Sequence, residues 1–84
     1  MIRYTVVWVE DAQDELAELW IAATDRDAVT TATHAIDKEL AEDPENKGVE
    51  LSEGLRALYQ FPLRVLFLVR EEDRIVDVLR VKRF

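Results

Sequence analysis

The 84-residue sequence has no cysteine, one histidine, two glycines and two prolines. The lack of cysteine excludes disulfide staples, thiol nucleophiles and thiolate-bound zinc. The single histidine, His34, has no second histidine at metal-ligand spacing and falls off the apolar stripe of its helix, so it reads as a solvated side chain. No apolar run approaches the roughly 20 residues that span a bilayer. The start, from Met1 to Glu10, has no basic segment followed by a pure apolar run and reads as a strand rather than a signal peptide. Repeats, linkers and low-complexity stretches are also missing. The expectation is a soluble cytoplasmic protein, one domain over residues 1–84, with a thin stability margin set by its size.

Positive charge is in short supply. Eleven Lys and Arg stand against eighteen Asp and Glu, a net charge of −7, whereas a general nucleic-acid binder would be basic. The distribution is uneven. Residues 1–50 hold four cations and thirteen carboxylates, while residues 51–84 hold seven cations and five carboxylates. The chain therefore has an acidic half and a mildly basic half. Such asymmetry marks either an interaction face or simply a solvated acidic helix surface.

What is present is periodicity. Ile2 to Val9 is β-branched and aromatic, which favours a strand. Both parities are apolar, so it is expected to be central or covered on both faces. From Glu10 to Ala23 the period changes, and Ala12, Leu16, Leu19, Trp20 and Ala23 form one helical stripe. Glu10, Asp11, Asp14 and Glu15 suit the positive end of the helix dipole. The cluster Asp11, Asp14, Glu15 and Glu18 therefore reads as an acidic first-turn surface rather than a metal site. Thr24 or Asp25 caps a second helix with the stripe Val29, Ala32, Ile36 and Leu40. That helix ends near Asp43, before Pro44. Glu45 to Glu53, with Gly48, reads as a loop. Leu55–Gln60, Leu63–Arg70 and Ile75–Lys82 read as strands, the last two joined across Glu71-Glu72-Asp73. Pro62 sits at a strand start, where a missing N–H is tolerated. Trp8 and Trp20 are expected in the core.

The order β-α-α-β-β-β predicts an α+β fold with a helical hairpin on one face of a mainly antiparallel sheet. In Leu63–Arg70, alternation sends Val65, Phe67 and Val69 toward the helices. Arg64, Leu66, Leu68 and Arg70 take the open face. In the last strand either Val76, Val78, Arg80 and Lys82 or the opposite parity Ile75, Leu79 and Val81 share that face. Leucines left uncovered and framed by arginines make a candidate partner-docking surface of Leu66, Leu68 and Arg70.

Taken together, these features resemble the RelE/ParE toxin superfamily. Tyr4-x-Val6 opens the first strand, Ala12 with Leu16 and Leu19 marks helix one, and Ala32, Ile36 and Leu40 mark helix two. Pro44 and Gly48 follow. Leu55-Arg56 begins the sheet, Leu63-Arg64-Val65-Leu66-Phe67 is similar to the family's central strand, and Val78 to Lys82 to its closing strand. The resemblance implies the toxin of a toxin–antitoxin (plasmid-stabilisation) pair with an antitoxin partner. DNA gyrase or the ribosome are the targets it implies. It also implies a basic target-binding face, carried onto Arg56, Arg64, Arg80, Lys82 and Arg83. No catalytic residue is singled out. RNA cleavage needs a proton shuttle as well as cations, and arginine titrates far above neutrality. Glu50, Glu53 and Tyr59 are unselected candidates for that role. No histidine or tyrosine follows Arg64, and the family's catalytic tail has no counterpart before Phe84. The expectation is thus a ParE-like toxin that acts by binding, without cofactor or metal. The rivals are a diverged nontoxic domain that forms a homodimer through its sheet, and a RelE-like messenger-RNA endonuclease.

Overall fold

The computed structural model describes residues 3–84. The elements are β1 (Thr5–Trp8), α1 (Glu10–Ala22), α2 (Arg26–Glu42), a 3-10 turn (Pro44–Asn46), β2 (Val49–Ser52), β3 (Leu55–Gln60), β4 (Leu63–Arg70) and β5 (Ile75–Arg83). The expected α+β architecture is present, with both helices on one face of a mostly antiparallel sheet. The sheet order is β1-β5-β4-β3-β2, and only the β1–β5 pair is parallel.

Two expectations about strands change. The segment 45–53, read as a loop, contains the 3-10 turn and a fifth strand, β2. All four β2 residues are exposed, so no burial pattern announces it; pairing with β3 makes it a strand. Gly48 permits that pairing, because its φ of 69° lies in the left-handed region and its bare Cα approaches the Ala57 carbonyl. The first strand is also not central. β1 is a four-residue edge strand with alternating exposure. Val6 and Trp8 pack against the core on the face that meets α2, while Thr5 and Val7 of the other parity stay exposed. The expected start at Ile2 lies outside the described residues.

The core follows the helical stripes. Ala12 of α1 and Val29, Ala32, Ile36 and Leu40 of α2 are buried against Leu58, Leu63, Val65, Phe67, Val76, Val78 and Val81. Tyr4, Val6, Trp8, Leu16, Leu19 and Val69 close its margins. Trp20 is the exception to the predicted stripe. It is 43% exposed, with the Arg26 guanidinium 4.5 Å from its ring centroid and donating to its carbonyl. Leu19 and Ala23 on either side of it still pack against the core, so the buried stripe passes Trp20 by. The predicted second-helix cap falls at Asp25, but its side chain does not cap. Its Oδ2 instead accepts from Arg83 at 2.6 Å.

β5 resolves the two parities left open by its sequence. Opposite Leu66 and Phe67 of β4 stand Arg80 and Val78, so Leu79 is an extra residue, a β-bulge. The bulge resets the alternation. Val76, Val78 and Val81 are consequently all buried on the helix side, at 0%, 0% and 2% exposure. A regular strand would have turned Val81 outward.

Candidate functional site

The open sheet face is built from three cross-strand rows. Leu55, Leu68 and Asp77 form one end, Ala57, Leu66 and Arg80 the middle, and Tyr59, Arg64 and Lys82 the other end. Among the described residues no helix lies on this face, because α1 packs on β5 and α2 packs on β1, β3 and β4 from the other side. Leu66 and Leu68 do occupy the open face, but they are half-buried by their neighbours rather than bare. Val49, 59% exposed, extends the middle row opposite Ala57, and further along stand Tyr59, Phe61 and Phe84, at 54%, 70% and 53% exposure. Their rings form an edge-to-face trio, with Phe84 centred 5.3 Å from Tyr59 and 5.7 Å from Phe61. The Phe84 N–H donates to the Pro62 carbonyl, which fixes the end of β5 beside the β3–β4 turn.

The structure divides the five predicted basic residues. Arg56 shares the parity of buried Leu58 and points to the helix side, where its guanidinium donates to the carbonyls of Lys47 and Gly48 at 2.9 and 3.3 Å. It is therefore removed from the open face. Arg83 also lies on the helix side, bound to Asp25. Arg80 wraps around the sheet edge to a two-pronged pair with Glu15 of α1, at 2.8 to 3.1 Å. Glu15 additionally accepts the Val81 N–H at 3.1 Å. The Arg80 hydrogen bond holds the Glu15 carboxyl below the ordinary carboxylate range, against desolvation acting the other way, and Glu15 in turn raises the Arg80 pKa. Arg83 lowers the Asp25 pKa in the same way. Of the predicted docking residues, Arg70 closes the far end of the face through Asp77 at 2.8 Å and Asp73 at 3.7 Å.

Two cations remain. Among the described residues neither Arg64 nor Lys82 has a carboxylate within 4.0 Å, and they are direct cross-strand partners. Like charges directly opposite each other destabilise a sheet, so the pair favours an anion between or above them. Tyr59, Phe61 and Phe84 supply flat apolar surface beside it. This corner can hold an anionic group and stack a planar or apolar one. Periodicity had no means of finding the aromatics, since they come from a turn, a strand end and the chain's last residue. Of the three, only Tyr59 carries an expectation from the sequence, as a candidate proton shuttle. His34 is on α2, in a groove with Trp8 and Asp37, and not on this face. Among the described residues no group of three His, Asp or Glu side chains is arranged to hold a metal. No helix is long and apolar enough to cross a membrane.

Neither a protein-family profile nor a curated protein sequence matches the chain. Solved structures do. The toxin–antitoxin complex RelBE2 from Mycobacterium tuberculosis superposes with a TM-score of 0.83 at 22% identity, covering 100% of this chain and 94% of that one. The chromosomal ParDE toxin–antitoxin system of P. aeruginosa gives 0.65 at 16% identity over 99% and 98% of the two chains. A double mutant of the E. coli toxin RelE in the free state gives 0.66 at 21% identity over 96% and 83%. Over nearly its whole length, the chain has the fold of the RelE and ParE toxins.

Proposed function

We propose that this chain is the toxin component of a toxin–antitoxin pair and acts by binding a cytoplasmic target, with an antitoxin neutralising it. The observation that carries the reading is the cross-strand pair Arg64 and Lys82, neither in a salt bridge among the described residues, beside the exposed trio Tyr59, Phe61 and Phe84. Their position on the bare face of a fold seen in toxin–antitoxin structures supports it. In an acidic protein, cations left unpaired next to exposed aromatics cost stability and solubility and serve contact with something else. DNA gyrase and the ribosome are the targets to test first. Induced expression should arrest growth, and Arg64→Glu with Lys82→Glu should abolish the arrest without lowering the melting temperature. Harmless expression of the natural chain, or undiminished toxicity of the double variant, would overturn the reading.

One observation favours a second reading, cleavage of RNA. Tyr59, Arg64 and Lys82 form a single cross-strand row, so a hydroxyl and two cations share one site. The cations suit a developing phosphate charge. The row holds no histidine or carboxylate to take the proton, which is why binding is preferred. Ribosome-bound messenger RNA should stay intact with purified protein; cleavage lost in Tyr59→Phe would establish the second reading instead. Self-association through the sheet, the nontoxic alternative, predicts a concentration-dependent dimer in light scattering.

A further inference from the structure

β1 accompanies β5 only as far as Val78. From Leu79 to Arg83 the final strand has β4 on one side and, among the described residues, no strand on the other. This stretch gives Lys82 to the open face and leads into Phe84. A strand bonded on one side opens more readily than one inside a sheet. Among the described residues two carboxylates of the helical layer close its free side. Glu15 of α1 takes Arg80 and the Val81 N–H. Asp25, in the turn between the helices, takes Arg83 at 2.6 Å.

Asp25 gives up an ordinary role to do so. It stands at the N-cap of α2, where an aspartate commonly accepts from the first backbone N–H groups. Its backbone keeps that place, since its carbonyl accepts from Ala28 and Val29 at 3.0 and 3.2 Å. Its carboxylate does not cap. Oδ2 reaches Arg83, and Oδ1 is buried without a partner. The turn is braced for this reach. Arg26 donates to the Trp20 and Ile21 carbonyls at 3.0 and 2.9 Å and lies over the Trp20 ring, which ties the end of α1 to the start of α2.

On the strand side, Arg83 is the cross-strand partner of Leu63, which is fully buried. Its two neighbours in sequence both serve the open corner. Lys82 stands opposite Arg64, and the Phe84 N–H donates to the Pro62 carbonyl while its ring meets Tyr59 and Phe61. Tyr59, Phe61 and Arg64 come from the β3–β4 hairpin and are held by its own pairing. The end of β5 has no such hairpin, so fixing Arg83 fixes both groups that this strand brings to the corner.

We infer that Asp25 is a positioning residue of that corner: through Arg83 it holds the end of β5 so that Lys82 stands opposite Arg64 and the Phe84 ring stands against Tyr59 and Phe61. The inference rests on the reading of the corner as the contact surface. Both partners of the Asp25–Arg83 pair are more than a third exposed, so the pair adds little to global stability and its effect is local.

The test uses the isotope-labelled full chain. In Asp25→Ala, amide exchange at Phe84 should quicken at least about tenfold, and the nuclear Overhauser contacts of its ring with Tyr59 and Phe61 should weaken. Exchange at Ile36 and Val65 should hold, and the melting temperature should move by less than about 5 °C. Asp77→Ala breaks the Arg70 pair at the far end of the face and should leave Phe84 unchanged. The charge exchange Asp25→Arg with Arg83→Asp should restore the Phe84 signals, whereas Arg83→Asp alone should not. Growth arrest should weaken in Asp25→Ala and return in the charge exchange. Unchanged Phe84 signals in Asp25→Ala, a loss that spreads equally to α2, or no recovery in the folded charge-exchange variant would each overturn the inference. So would full-strength arrest by Asp25→Ala, with the toxin reading left standing. A natural chain that arrests nothing removes the toxin reading instead, and the Phe84 signals still decide whether Asp25 positions the corner.

Discussion

Replacing Gly48 by alanine tests the account of how β2 is attached. At Gly48 φ is 69°, and an added Cβ would lie 2.1 Å from the Ala57 carbonyl oxygen, 2.8 Å from its carbon and 3.3 Å from Leu58 Cα. All three are backbone atoms of β3, which is buried at this point. The clash cannot be relieved by a side-chain rotation. The left-handed conformation alone costs an L-residue about 1–2 kcal/mol. Forcing the backbone apart adds about 1–3 kcal/mol, as overpacking does elsewhere. The total of about 2–5 kcal/mol is a large part of the stability expected for a chain this short. Gly54 is the internal control. Its φ is 80°, yet the nearest atom to an added Cβ is Leu68 Cδ2 at 3.9 Å, so Gly54→Ala should cost only the conformational term, about 1–2 kcal/mol. In urea melts, a slope near 1 kcal/mol per molar turns these values into midpoint losses of about 2–5 M and 1–2 M. Midpoints for the two variants within about 0.3 M of each other would refute the close-approach argument.

The Glu15 tie makes stability depend on pH. Its folded-state pKa is lowered, so the unfolded chain binds the proton more readily; the stabilisation is present above the ordinary carboxylate range and is lost as pH falls through and below about 4. Glu15→Gln should flatten the melting temperature between about pH 6 and 3, and an unchanged slope in scanning calorimetry would contradict this. Trp8→Phe removes the indole donor to Asp37 and should cost about 1–3 kcal/mol in chemical denaturation; a cost below about 0.5 kcal/mol would mean that water replaces the bond without penalty. Tyr59→Ala with Phe84→Ala should change stability by less than about 1.5 kcal/mol, since both rings are about half exposed. A larger loss would identify the aromatic corner as core rather than contact surface.

Much of the fold was legible because it rests on local periodicity. The stripe Val29, Ala32, Ile36 and Leu40 named the buried face of α2 residue for residue. The alternation in Leu63–Arg70 correctly separated Val65 and Phe67 from Arg64, Leu66 and Leu68. β2 was not legible, because an exposed strand of four residues has no apolar signal of its own and exists only through β3. The Leu79 bulge was equally hidden. Two parities fitted β5, and packing under the helices chose a break between them.

The site was less legible than the fold. Sequence alone identified the cations, the acidic helical half and the absence of a thiol or a histidine pair, since these follow from composition. It did not say which cations were free. Tertiary structure turned Arg56 inward to two carbonyls, tied Arg80 to Glu15 and Arg83 to Asp25, and left Arg64 and Lys82 without a salt bridge among the described residues. It also gathered Tyr59, Phe61 and Phe84 into one corner, and Arg3, His34 and Lys38 into one groove. The physical reason is range. Helical and strand periodicity act between residues a few positions apart, whereas whether a charge is spent depends on partners such as Glu15, 65 residues from Arg80.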